Sequence, residues 1–79
     1  MILSESDKEL LAEVLLLTGD DPKEIDSAVR KVLGRHFAGP KYQGTRGYMY
    51  RLLTRYAKKK IKAIRDAADR AASRRILSH

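Results

Sequence analysis

The residues with the clearest chemical character are the lysines and arginines in the middle of the chain. Residues 27–65 contain twelve of them and no aspartate or glutamate, whereas residues 1–26 carry eight acids and two bases. A long segment of one charge sign attracts a partner of the opposite sign, such as the phosphates of nucleic acid. The pattern favours a polyanionic partner over two alternatives: a surface that only confers solubility, or a basic segment neutralised by the acidic one.

Several of these basic residues recur at helical spacing and form the candidate binding site. Arg51, Arg55, Lys58 or Lys59, and Lys62 follow at intervals of three or four residues, which places them on one face of a helix. Like charges at this spacing repel one another in an isolated helix, and phosphates alongside relieve the repulsion. The predicted contacts to nucleic acid are Lys41, Tyr42, Arg46, Arg51, Arg55, Lys58, Lys59 and Lys62.

Tyrosines are interleaved with the basic residues. Four of the five aromatic residues are tyrosines, and all four lie within the basic segment, at Tyr42, Tyr48, Tyr50 and Tyr56. Tyrosine beside arginine suits stacking on bases or hydroxyl contacts to phosphate. The alternative is that Tyr48 and Tyr56 sit at the rim of the core with their hydroxyls in water.

Catalytic chemistry has little support in the sequence. The chain has no cysteine, and its two histidines are His36, expected at the edge of the core, and His79. Residues 39–44 are rich in glycine but do not match a phosphate-binding loop. We therefore expect no enzyme, no catalytic residue, no metal site and no cofactor.

The sequence offers no membrane-spanning or secretory segment. The longest apolar run is residues 14–17, which is far shorter than a bilayer-spanning helix. The N-terminus lacks the basic and apolar regions of a signal peptide, so we expect a cytoplasmic location. An anionic membrane surface is a weaker candidate partner, because the apolar side of the distal segment is mostly alanine.

Capping and stop signals divide the chain into three helices, at about residues 5–18, 22–37 and 46–77. Ser4 or Ser6 caps the first helix, and Gly19 ends it. Asp21 followed by Pro22 begins the second helix, and Gly39-Pro40 stops it. Residues 38–47 are predicted to form a basic, glycine-rich loop. The expected fold is a small all-α domain over residues 1–79, with two short helices packed on a long basic C-terminal helix.

The third helix is expected to be about 45 Å long, at 1.5 Å per residue. The two shorter helices are too short to cover all of it, and they pack on the face formed by Met49, Leu52, Leu53 and Tyr56. The distal half therefore pairs with another copy of the chain, or it is frayed until a partner binds.

A possible dimerisation seam follows in the distal half. The alternating spacing of four and three residues resembles a close-packed coiled coil, although it covers only two heptads. The alternative is that the seam packs on the first two helices of the same chain. The predicted self-association residues are Ala57, Ile61, Ile64, Ala68 and Ala71.

A helix-turn-helix formed by the first two helices is a competing position for the binding site. The turn at residues 19–21 has a suitable length, but Pro22, Glu24 and Asp26 occupy the leading end of the second helix. Acids there oppose docking on DNA. We therefore expect the third helix and the preceding segment, residues 41–46, to carry the binding site.

The sequence thus predicts a regulatory or architectural protein that binds nucleic acid, with DNA expected ahead of RNA. The alternative is a protein–protein adaptor or inhibitor that docks its basic helix on an acidic protein surface. Both functions use the same charges, so composition does not separate them.

Overall fold

The structure, a computed structural model, describes residues 3–77, with side chains for residues 3–72. It contains three helices, α1 (Glu5–Thr18), α2 (Ile25–His36) and α3 (Gln43–Leu77), and no strand within the described residues. The predicted fold class, an all-α domain with a long C-terminal helix, is confirmed.

Both ends of α1 are formed by the expected residues. Ser4, rather than Ser6, is the N-cap, and its hydroxyl oxygen accepts a hydrogen bond from the backbone N–H of Asp7 at 3.2 Å. Gly19 ends the helix with a positive φ of 59°, and its N–H donates to the carbonyl of Leu15. A cap such as Ser4 stabilises a helix by about 1 kcal/mol relative to alanine.

The predicted second helix begins with a different geometry. Residues Pro22–Glu24 form a 3₁₀ turn, and the α-helix begins only at Ile25. The carboxylate of Asp21 accepts from the N–H of Lys23 at 3.0 Å. This bond reaches two residues along the chain and accompanies the tighter first turn.

The start of the third helix differs from the prediction. Of the predicted loop 38–47 only residues 38 and 39 lie outside a helix, because Pro40–Tyr42 form a 3₁₀ turn that runs directly into α3 at Gln43. The guanidinium of Arg46 donates to the carbonyl oxygens of Phe37 and Gly39, each at 2.6 Å. These bonds anchor the first turns of α3, where Gly44 and Gly47 each weaken helix propensity by about 1 kcal/mol relative to alanine.

One hydrophobic core joins the three helices. Val14 of α1, Val29 of α2 and Leu53 of α3 are almost completely buried in it. Tyr56, expected on the core face of α3, is only half-buried against it. The buried apolar residues are Leu10, Leu11, Val14, Ile25, Ala28, Val29, Val32, Leu33, Met49, Leu52, Leu53, Ala57 and Ile61.

Among the residues whose side chains are described, the last core residue is Ile61, although α3 continues to Leu77. The molecule is therefore elongated, with principal extents of 59 × 24 × 15 Å. None of the helices that the structure describes is long and apolar enough to cross a membrane.

The predicted seam is divided at the same point. Ala57 and Ile61 are buried in the core of their own chain, so they are not available for pairing, which corrects that part of the prediction. For these two residues the alternative applies, in which the seam packs on the first two helices of the same chain. Ile64, Ala68 and Ala71 remain exposed.

Candidate nucleic-acid interface

The exposed side of α3 carries the predicted row of cations. Residues 51, 55, 58 and 62 follow one another at the helical repeat, on the side opposite the buried Met49, Leu53 and Ala57. Lys59 lies beside this row. We call these five exposed residues the basic face: Arg51, Arg55, Lys58, Lys59 and Lys62.

Three acidic residues of the described part of the chain, Glu5, Glu13 and Asp26, pair with bases outside the basic face. Glu13 is 2.7 Å from His36 and 4.0 Å from Arg35. Asp26 pairs with Arg30 at 2.9 Å, both on α2. Within residues 3–72, no ion pair closer than 4.0 Å includes a residue of the basic face. The acidic segment therefore forms no direct ion pair with the basic face.

Two parallel ridges of side chains border a groove on this side of α3. The aromatic ridge consists of Tyr48, Leu52 and Tyr56, each four residues from the next. The cationic ridge consists of Arg51, Arg55 and Lys59 at the same spacing. We call the space between them the aromatic–cationic groove, and its lining is Tyr48, Arg51, Leu52, Arg55 and Tyr56.

The ridges are also in direct contact with each other. The ammonium of Lys59 is 5.8 Å from the ring centroid of Tyr56, within the range of a cation–π interaction. Tyr48 differs, because 59% of its surface is exposed. The groove thus offers aromatic surface and positive charge side by side.

Three predicted contacts, two in the turn before α3 and one in its first turn, have other roles. Arg46 is bonded to two backbone carbonyls and lines a separate groove between α2 and α3. Tyr42 packs edge-on against Phe37, with ring centroids 5.7 Å apart. The ammonium of Lys41 lies 4.9 Å from the ring centroid of Tyr42. These residues form the corner between α2 and α3, and the structure does not group Arg46 with Arg51 and Arg55.

A polar link between α2 and α3 was not foreseen from the sequence. The hydroxyl of Tyr50 donates to the carboxylate of Asp26, which also accepts from Arg30 at 2.9 Å. The Tyr50 bond holds the pKa of Asp26 below its ordinary value, and the same bond raises the pKa of the Tyr50 hydroxyl. Because these partners are 24 residues apart, no local pattern indicates the contact.

His36 forms a contact between two helices. Its ring nitrogen Nε2 lies 2.7 Å from a carboxylate oxygen of Glu13, so the pair joins α2 to α1. His79 lies outside the described residues. Among the residues whose side chains are described, no group of three histidines or acids is arranged to hold a metal ion.

Comparison with known proteins adds no functional assignment. The chain matches no protein family, no curated protein and no solved structure.

Proposed function

We propose that this protein binds nucleic acid through the basic face of α3. The observation that carries the proposal is that Arg51, Arg55 and Lys58, with Lys59 and Lys62, are exposed on one continuous helix, and that none of them forms an ion pair with a residue in the range 3–72. Five cations on one side of a helix are held in an extended row. The phosphates of a nucleic-acid backbone alongside that row would neutralise the repulsion between these cations.

The energetics of such binding are mainly those of counterion release. Each neutralised phosphate contributes about 0.9 to the slope of log affinity against log salt for a duplex, and about 0.7 for a single strand. For five contacts, affinity is expected to fall by about 10²–10³-fold between about 50 and 200 mM salt. A much smaller fall would mean that fewer residues of the basic face meet phosphates.

The test is fluorescence anisotropy with labelled duplex DNA, single-stranded DNA and RNA at these two salt concentrations. Charge reversal of Arg51→Glu with Arg55→Glu should lower affinity by at least about 100-fold, because two contacts become repulsions. Both side chains are exposed, so the circular dichroism spectrum and the thermal transition should not change. The DNA and RNA arms also test the expectation that DNA binds more tightly.

A matched control changes the net charge equally at another place. Lys23→Glu with Lys31→Glu alters exposed residues of α2 and its leading turn, and it should weaken binding only a few-fold. Equal loss in both double variants would show that only net charge matters. Absence of binding at low salt would reject the proposal and favour an acidic protein surface as the partner of the same face.

We further propose a homodimer through the exposed distal residues Ile64, Ala68 and Ala71. They continue the buried side of α3 beyond the point where α1 and α2 stop covering it. Two copies joined there would carry two basic faces, which suits a regulatory or architectural role on a long polyanion. We also propose that the protein acts in the cytoplasm.

A further inference from the structure

We infer that the aromatic–cationic groove takes unpaired nucleotides, with the ring of Tyr48 stacked on a base and Arg51 and Arg55 on the adjoining phosphates. The preferred partner is then a single-stranded nucleic acid. This inference rests on the proposed function and specifies which form of nucleic acid the basic face recognises.

The exposure of Tyr48 is the first observation that supports the inference. The residue is 59% exposed, and within residues 3–72 it makes no hydrogen bond or ring contact. The other tyrosines are each engaged: Tyr42 contacts Phe37, Tyr50 contacts Asp26, and Tyr56 contacts Lys59. A position at the rim of the core therefore accounts for Tyr56 but not for Tyr48.

The arrangement of the groove is the second observation. Leu52 is buried between Tyr48 and Tyr56 in the aromatic ridge, and it lines the groove together with them. At 1.5 Å per residue, Arg51 lies about 4.5 Å and Arg55 about 10.5 Å beyond Tyr48 along the helix axis. A strand that places one base on Tyr48 can therefore pass its following phosphates along both guanidinium groups.

The chemistry of an exposed ring beside cations favours a single strand over a duplex. In a duplex the base faces are stacked on one another, and only base edges and the backbone are accessible to a helix. In a single strand each base has a free π-face, and a positively charged groove beside an aromatic ring is the usual binding arrangement. The ring of Tyr48 can therefore stack on a base of a single strand, whereas a duplex presents no free base face to it.

The experiment compares Tyr48→Ala and Tyr48→Phe with the unaltered protein on three probes. The probes are a labelled single-stranded DNA, a duplex of the same length, and an abasic strand that keeps the phosphates but has no bases. Removing one stacking contact should lower single-strand affinity about 5- to 150-fold, which corresponds to about 1–3 kcal/mol. The phenylalanine variant keeps the ring and should bind like the unaltered protein.

Two comparisons isolate the stacking contact. Tyr48→Ala should leave binding to the duplex and to the abasic strand unchanged, because neither presents a free base face. Leu16→Ala is the matched control, since Leu16 is 84% exposed on α1 and its removal should not affect binding. Because Tyr48 is exposed, its variants should keep the thermal transition of the unaltered protein.

The outcomes separate this inference from the proposed function. If the unaltered protein binds no probe at low salt, the proposed function fails. If charge reversal abolishes binding but Tyr48→Ala retains full single-strand affinity, the basic face binds phosphates and the stacking inference is overturned. Equal losses for Tyr48→Ala and Tyr48→Phe would identify a hydroxyl contact to phosphate, and would overturn it as well.

Discussion

The two halves of α3 have the same secondary structure but are stabilised in different ways. The proximal half, Gln43–Ile61, packs on α1 and α2 and contributes Met49, Leu52 and Leu53 to the core. The distal half, residues 62–77, begins where the core ends, and residues 62–72 are exposed on every side. One helix is therefore partly a structural element of the domain and partly an extension from it.

The two halves of α3 also differ in their content of glycine and alanine, and the difference matches how each half is stabilised. The proximal half contains Gly44 and Gly47, which are poor helix formers, and its helix is held by packing and by the bonds of Arg46. The distal half has alanines in their place, at positions 63, 67, 68, 71 and 72. Alanine has the highest intrinsic helix propensity. Tertiary contacts maintain the proximal half, whereas local propensity supports the distal half.

The largest effect on stability is expected when an aspartate replaces an isoleucine on the buried side, but not on the exposed side, of the point where the core ends. Ile61 is 1% exposed and Ile64 is 54% exposed, although they lie one turn apart. Ile61→Asp should destabilise the domain by more than about 4 kcal/mol, because it buries an unpaired carboxylate and removes core packing. At protein concentrations low enough to keep the chain monomeric, Ile64→Asp should change the free energy of unfolding by less than about 0.5 kcal/mol. Urea denaturation measures both, and similar losses would mean that the distal half is also packed.

The same Ile64→Asp variant tests the proposed dimer. If the distal half pairs with a second copy, sedimentation equilibrium should give a dimeric mass for the unaltered protein and a monomeric mass for the variant. A substitution that keeps the apolar surface, Ile64→Leu, is the control and should remain dimeric. A monomeric unaltered protein would exclude pairing through this segment at the concentrations tested.

A smaller loss is expected where the proximal half is anchored. Arg46→Ala removes two charge-assisted hydrogen bonds to the carbonyls of Phe37 and Gly39, and it should lower the free energy of unfolding by about 1–3 kcal/mol. Arg65→Ala removes an exposed arginine from the distal half and should have little effect on the same denaturation curve. Equal curves for the two variants would show that the carbonyl bonds contribute nothing to stability.

Exchanging glycine and alanine between the halves should have a still smaller effect. A Cβ atom at Gly47 would meet nothing within 4 Å, and its φ is not positive. Gly47→Ala should therefore stabilise the domain by about 0.5–1 kcal/mol. In the monomer, Ala68→Gly should lower the helical signal in circular dichroism without moving the denaturation midpoint, because it loosens only the extension. A shifted midpoint for Ala68→Gly would contradict the separation of the two halves.

The smallest effect concerns the polar link that also holds the proximal half. Because the Tyr50 hydroxyl lowers the folded-state pKa of Asp26, the stabilisation is present above the ordinary aspartate pKa. It is lost as the pH falls through the lowered value. The raised pKa of Tyr50 adds a second loss, as the pH rises above the ordinary tyrosine value. When the free energy of unfolding is measured against pH, Tyr50→Phe should lose less stability at low and at high pH than the unaltered protein. Identical pH profiles for the two proteins would contradict the bond between Tyr50 and Asp26.

Much of the fold was predictable because its signals are local. Ser4, Gly19 and Asp21-Pro22 placed the ends of the first two helices closely, since caps and stops depend on adjacent residues. The exposed row from Arg51 to Lys62 was also predictable, because helical periodicity separates it from the core side.

The remaining features depend on contacts between distant residues. The early start of α3 depends on Arg46 reaching the carbonyls of Phe37 and Gly39, while the glycines nearby suggested a loop. The bond between Tyr50 and Asp26 joins two helices. The division of the seam after Ile61 depends on how far α1 and α2 extend along α3, which periodicity along one helix does not reveal.

The bonds of Arg46 also bear on how the chain folds. They join residues only seven and nine positions apart, so the chain entropy lost in closing this corner is small. We expect α2 and α3 to meet early as a helical hairpin, with α1 docking afterwards onto a surface that already exists. In a kinetic experiment, substitution of Arg46 would then slow refolding more than it speeds unfolding.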